Sequence, residues 1–263
     1  MEACMNKNAF NNFKKIIEIV NEMGEYLSIT CTKSGMEMSI LAPDHIAMAS
    51  VQLNGELFFD SYRVTEEVIL IHAHLVELYK ILKNSALIKG WDVIHCKLDK
   101  PDSNIITFKL SKAHTTFKMK LLDIQGQSLV DIDNHLESFD YETQLSAKDF
   151  ANVCSVVGDF SSEMEMTFHR NQTRFRSVDE QGISEICRKF QLKNESPVLI
   201  KKRFAITYLK KFSQMSTLSQ TVTFGFVLND ISNSPLLLTY TSEDGGSNVD
   251  CCFRSLFLLA AKI

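Results

Sequence analysis

The chain has 263 residues and a formal net charge of −4, which excludes the globally basic proteins that coat nucleic acid; any contact with DNA requires unevenly placed charge. Hydrophobic residues make up 45% and charged residues 23%, the balance of a folded protein rather than a disordered one. The longest apolar stretch, Val68–Ile71, is broken by His72 and His74, far short of the roughly 20 residues a membrane helix needs, so no membrane is expected as a partner.

Taken in chain order, the opening residues Met1–Lys7 lack the basic and apolar regions of a secretory signal, so none is expected. Phe13, Ile16, Ile17, Val20 and Met23 recur at the spacing of one helical stripe, which predicts a helix over 10–23 with Asn11 or Asn12 as its N-cap. Strands are expected at Tyr26–Cys31, Met36–Leu41 and Ile46–Leu53, with shorter extended pieces at Glu56–Phe59 and Tyr62–Val64. A second helix over 73–83 turns Leu75, Leu78, Tyr79 and Leu82 inward. Strands then follow at Asp92–Leu98, Asn104–Leu110 and Thr115–Leu121.

Residues 123–141 are polar and acidic with isolated apolar positions, and read as a surface linker. Beyond it come a strand at Glu142–Leu145 and a helix over 147–160 capped by Ser146, with Asp149 three residues on. Further strands are expected at Met164–His169, Thr173–Val178 and Ile183–Gln191, then a helix over 204–214. The last strands are Thr221–Leu228, Leu236–Thr241 and one ending in Leu256–Ala260.

This second series repeats the first. Phe13, Ile16, Ile17, Val20 and Met23 correspond to Phe150, Val153, Cys154, Val157 and Phe160 at one constant offset, and Leu27-Ser28-Ile29-Thr30 to Met164-Glu165-Met166-Thr167 at the same offset. Self-similarity on this scale predicts a doubled unit. The expected fold is α+β, with two similar domains at 1–122 and 142–263, each carrying two helices, joined by the linker 123–141.

The seven cysteines are odd in number, match no disulfide or zinc framework, and point to a reducing compartment. His72 with His74, and His95 beside Cys96, are the metal-like pairs, and neither has further ligands at workable spacing; no metal and no cofactor are expected. No serine or cysteine with a carboxylate partner marks a nucleophile, and a hydrolase built around His45 is the weaker class of reading.

The sequence resembles the eukaryotic-type DNA sliding clamps of the proliferating cell nuclear antigen (PCNA) family along almost its whole length. The resemblance rests on Phe13-Lys14-Lys15, Pro43-Asp44-His45-Ile46-Ala47-Met48 and Phe59-Asp60-Ser61-Tyr62-Arg63. It continues through Met119–Asp123, Phe204-Ala205-Ile206 with Tyr208-Leu209, Leu218–Thr223, Pro235–Leu238 and Leu259–Ile263. It implies the DNA clamp fold, its helices packed on antiparallel sheets, with three chains closing a ring of six domains around duplex DNA and no catalytic site.

The same resemblance implies roles for particular residues. Lys14, Lys15, Lys80, Lys83, Lys148, Lys210 and Lys211 would line the channel near the phosphates, without base readout. Asn152, Ser155 and Thr207 stand where the family usually has basic residues, which weakens that grip. Leu41, His45, Met48, Leu129, Ile132, Pro235, Leu258 and Ala260 match the pocket that takes short helical motifs of polymerases and other replication or repair proteins. Leu258 and Ala261 replace a tyrosine and a proline there, so partner preference is expected to differ. Ring closure would pair His114–Leu121 of one chain with Ile183–Gln191 of the next. A clamp loader as partner and a location in the nucleus, or at the site of viral DNA replication, follow from the family; a checkpoint-type heterotrimer subunit or a non-ring processivity subunit is the alternative.

Overall fold

The computed structural model describes residues 1–98, 104–123, 141–169, 172–177, 185–189, 191–192, 199–226, 235–242 and 253–261. They form two compact units. The first holds the described residues of Met1–Leu41, Ser50–Val130 and Asp244–Arg254; the second holds those of Ala42–Ala49, Asp131–Glu243 and Ser255–Ile263.

In the first unit the elements are β1 (Glu2–Asn6), α1 (Lys7–Asn21), β2 (Tyr26–Thr32), β3 (Gly35–Leu41), β4 (Ala47–Asn54, begun in the second unit's loop), β5 (Ser61–Arg63), β6 (Val68–His74), α2 (Leu75–Leu87), β7 (Val93–Leu98), β8 (Ile105–Leu110) and β9 (Thr115–Lys120). A five-stranded sheet has the order β5-β1-β7-β8-β9, and β4, β3, β2 and β6 lie side by side in another. Alternation sends Ala3, Met5, Ile94, Cys96, Ile106, Phe108 and Met119 into the core, where they meet Phe10, Phe13, Ile16, Ile17 and Val20 of α1 and Leu75, Leu78 and Leu82 of α2.

The second unit holds β10 (Tyr141–Ser146), α3 (Ala147–Gly158), β11 (Glu163–His169), β12 (Gln172–Ser177), β13 (Glu185–Lys189), β14 (Gln191–Leu192), β15 (Ile200–Ala205), α4 (Ile206–Ser213) and a short 3-10 turn at Gln214–Thr217. It is completed by β16 (Thr221–Phe226), β17 (Leu236–Thr241) and most of β18 (Phe253–Leu259). One sheet runs β13-β12-β11-β15; in another, β14, β10, β16, β17 and β18 are consecutive neighbours. Phe150 of α3 is fully buried, with its ring edge-on to Phe224 at 5.0 Å between centroids and tilted against Phe175.

The two-domain α+β architecture with four helices on antiparallel sheets is the one expected, and several boundaries move. The first helix starts at Lys7 because Asn6, not Asn11 or Asn12, is the cap: its side-chain oxygen accepts from the amides of Asn8 and Ala9. Glu56–Phe59 is not extended. Asn54 accepts from the amides of Glu56 and Leu57 with its side chain and from Phe58 with its carbonyl, folding the segment into a turn. The fourth helix begins at Ile206, since Phe204 and Ala205 complete β15 against Met164 and Glu163. Strands β1, β6 and β15 were not anticipated; β6 alternates only over half its length, with Ile71, His72 and Ala73 all buried. Ser146 caps α3 as expected, accepting from the Asp149 amide at 3.3 Å.

Candidate functional site

The seven lysines proposed for nucleic-acid contact all lie on the four helices or at their ends. Half-buried Lys15 pairs with Glu18 at 3.2 Å, Lys80 with Glu77 at 2.7 Å, and Lys210 with Asp159 at 3.6 Å. Exposed pairs of this kind add little stability, yet they do cancel charge. Lys14, Lys83 and Lys148 have no ion pair among the described residues. Lys211 is turned to Tyr208, its ammonium 5.3 Å from the ring centroid. The helix lysines thus divide into neutralised and uncommitted members.

Within the second unit, the loop Ala42–Ala49 is built by a small set of hydrogen bonds. The Ala42 amide donates to the Ala47 carbonyl at 2.8 Å and the His45 amide to the Ala42 carbonyl at 2.9 Å. His45 sits at φ 58°, in the left-handed region, which among non-glycine residues Asn, Asp and His adopt most readily. Asp44 holds the turn from its side chain: one carboxylate oxygen accepts from the Ile46 amide at 3.1 Å, and the other from the Tyr208 hydroxyl of α4 at 2.6 Å. The Ala260 amide donates to the Ile46 carbonyl at 2.9 Å, tying the chain after β18 to the same loop.

This arrangement has an electrostatic signature. The Tyr208 hydroxyl first, then the Ile46 amide and the nearby Lys211, hold the Asp44 carboxyl below its usual value. Burial, then the hydrogen bond to Asp44, push the Tyr208 hydroxyl up to about 12.

His45 and Ala260 are exposed here, Met48 and Leu258 half-buried, and Pro235 half-buried just before β17, the neighbour of β18. Leu41 ends β3 with its side chain exposed. Leu129 and Ile132, with nearly all of the expected linker, lie outside the described residues. Asp44 and Tyr208, which organise the loop, were not singled out from sequence. The available signal was an aspartate two residues before an amide in a Pro-Asp turn, the usual setting for a side-chain-to-backbone bond.

The metal-like pairs have other engagements. His72 is buried and bonded to Ser28 at 3.1 Å, His74 meets the Tyr26 ring edge-on, and His95 Nδ1 lies 3.0 Å from Cys4 Sγ. Among the described residues no three His, Cys, Asp or Glu side chains gather as a metal site would require. Cys4, Cys31, Cys96, Cys154 and Cys187 are free thiols.

Two strands named for chain-to-chain pairing are sheet edges. β9 ends the five-stranded sheet, and β13 ends the four-stranded sheet next to β12. Each offers one side without a strand among the described residues, which suits it to add a strand from elsewhere.

Comparison with known proteins agrees with this architecture. The model of the PCNA N-terminal domain matches residues 1–129 and that of the C-terminal domain residues 135–254. The chain is 27% identical over 248 residues to proliferating cell nuclear antigen 1 of Plasmodium falciparum (isolate K1 / Thailand), covering 90% of this chain and 87% of that protein. It is 25% identical over 261 residues to a probable DNA polymerase sliding clamp of Autographa californica nuclear polyhedrosis virus, covering 95% and 92%. The crystal structure of the PCNA of Entamoeba histolytica superposes with a TM-score of 0.80 at 17% identity, covering 100% of this chain and 98% of that one. With both domain models matched in order along nearly its full length, the chain belongs to the proliferating cell nuclear antigen family of DNA sliding clamps.

Proposed function

We propose that this sliding clamp acts as a homotrimeric ring that encircles duplex DNA and tethers a DNA polymerase and other replication or repair proteins, without catalysis of its own. The observation that carries the ring is the pair of sheet edges, β9 in the first unit and β13 in the second, one available to each neighbour. Lys118 and Lys120 on β9 would face a strand whose sequence holds Glu185, Arg188 and Lys189, so the charge complementarity is partial, and Glu185 already pairs with Arg174 at 3.1 Å. The domains are assigned to 1–122 and 142–263, with 123–141 as the connecting linker.

Retention in such a ring is topological. The helix lysines need only be weak, salt-sensitive phosphate contacts that permit sliding, so the ion pairs of Lys15, Lys80 and Lys210 are tolerable. Partners dock by a short helical motif beside the Asp44-braced loop, with His45, Met48, Leu258, Ala260 and Pro235 as the residues assigned to the anchor; the family resemblance assigns Leu41, Leu129 and Ile132 to the same role. A clamp loader opens the ring, and the protein works in the nucleus or at a viral replication site.

Retention on circular against linear duplex tests the reading. A closed ring stays on a circle through a high-salt wash and runs off a linear end. Equal loss from both templates would instead favour a subunit that holds DNA by charge, and a stable complex only with a different chain would favour a heterotrimer.

A further inference from the structure

We propose that the face of the five-stranded sheet turned away from α1 and α2 is a second duplex-binding surface, which grips phosphates through a cluster of basic side chains. The inference does not depend on ring closure.

The surface is assembled by register. One row across the sheet reads Arg63, Glu2, Lys97, Thr107 and Lys118, and the next Ser61, Cys4, His95, Lys109 and Thr116; Ile105 and Lys120 begin a third. Paired residues project to the same side, and the alternate positions on these strands are the ones buried towards the helices. With Lys112 at the β8–β9 turn, six cations share the surface with two acids, Glu2 and Asp92. Lys97 bridges Glu2 at 2.8 Å and Lys112 bridges Asp92. Lys109 has no ion pair among the described residues, and Arg63 flanks the neutralised Glu2. Lys118 and Lys120, also unpaired there, sit on the edge strand that ring closure would use, so Arg63 and Lys109 are the cations of this face independent of that contact. In a chain with a net charge of −4 this is a concentrated reversal of sign. An open groove of about 820 Å³ runs across it, lined by Arg63, His95, Lys97, Lys109 and Lys112.

The chemistry selects a duplex among polyanions. Strands about 4.8 Å apart spread the first row over roughly 19 Å, a broad and shallow distribution suited to a phosphate backbone. Single-stranded nucleic acid needs aromatic platforms for its bases. The one ring in these rows, His95, is engaged by Cys4 with Nδ1 3.0 Å from Sγ, and Tyr62, at the alternate position of β5, is stacked on Phe59 with its hydroxyl donating to the Gly35 carbonyl. An acidic peptide needs an apolar anchor site. Among the described residues this face offers Ile105 and half-buried Val93 at its margins and the half-buried Cys4 thiol in its second row, but no large apolar socket. What remains is lysine, arginine and hydroxyl, the groups that contact phosphate without reading sequence.

The test measures fluorescence anisotropy of a short blunt linear duplex over a salt series, using the full chain. Arg63→Glu with Lys109→Glu should weaken binding at least tenfold and reduce the salt slope by about 2, close to 0.9 per lost phosphate contact. The milder Arg63→Gln with Lys109→Gln should give a smaller loss in the same direction, with an unchanged melting temperature showing that the fold is intact. Lys83→Glu with Lys148→Glu, on the helices, should leave the outer-face contribution measurable. Binding unchanged by the outer-face pairs but abolished by the helix pair would overturn the proposal. So would a single-stranded probe binding as tightly as the duplex, or polyglutamate displacing the duplex better than unlabelled duplex does at equal charge.

Discussion

Tyr208 and Asp44 show how much a single contact can position. The two residues are far apart in the chain, and their 2.6 Å hydrogen bond fixes the turn that presents His45. Tyr208→Phe removes the donor while keeping the ring, so stability should fall by under about 1 kcal/mol, because the acceptor is exposed to water. Affinity for a partner peptide should drop severalfold, measured by calorimetry; unchanged affinity would remove this loop from the docking site. The pH dependence has a definite sign. Asp44 titrates below its usual value, so its contribution is intact above about pH 4 and is lost as pH falls through the lowered value. Tyr208 titrates high, so its contribution holds below about pH 10 and disappears as pH rises towards about 12. Loop amide exchange followed across both ranges checks the two limits. In the core, Phe150→Ala leaves a void between Phe224 and Phe175 and should cost about 3–5 kcal/mol in denaturant unfolding.

At the scale of elements, the β2–β3 connection depends on close backbone approach. A Cβ added to Gly35 would lie 2.2 Å from the Leu53 carbonyl oxygen, and that backbone cannot swing aside as a side chain would. Gly35→Ala should therefore destabilise by about 1–3 kcal/mol, visible as a lowered urea midpoint. A midpoint equal to the parent's would mean the hairpin has slack that the geometry denies. The same elements show what was readable from sequence. Phe13, Ile16, Ile17 and Val20 announce α1 because its helical stripe is strictly periodic and one-sided. Its start was misplaced because Asn6, Asn8, Asn11 and Asn12 are chemically equivalent caps until one is seen to bond. β15 was hidden because its outward cations at Lys201 and Arg203 pair with Glu165 on β11, a cross-strand relation absent from local pattern.

For the whole molecule, the proposed ring predicts a solution mass near three times 29.9 kDa. Light scattering checks this, and a monomer persisting at high concentration would defeat the closed ring. The doubled unit, the α+β class and the family were legible in the sequence alone, since helical stripes, strand alternation and motif order are properties of short stretches and their sequence. The lysines could be assigned to helices for the same reason. Which of them are neutralised, how Tyr208 braces the loop at Asp44, and the outer cationic face were decided only by tertiary structure. Residues 2, 63, 97, 107 and 118 become neighbours through antiparallel register, and no local periodicity in a chain of balanced composition encodes the charge that such a row accumulates.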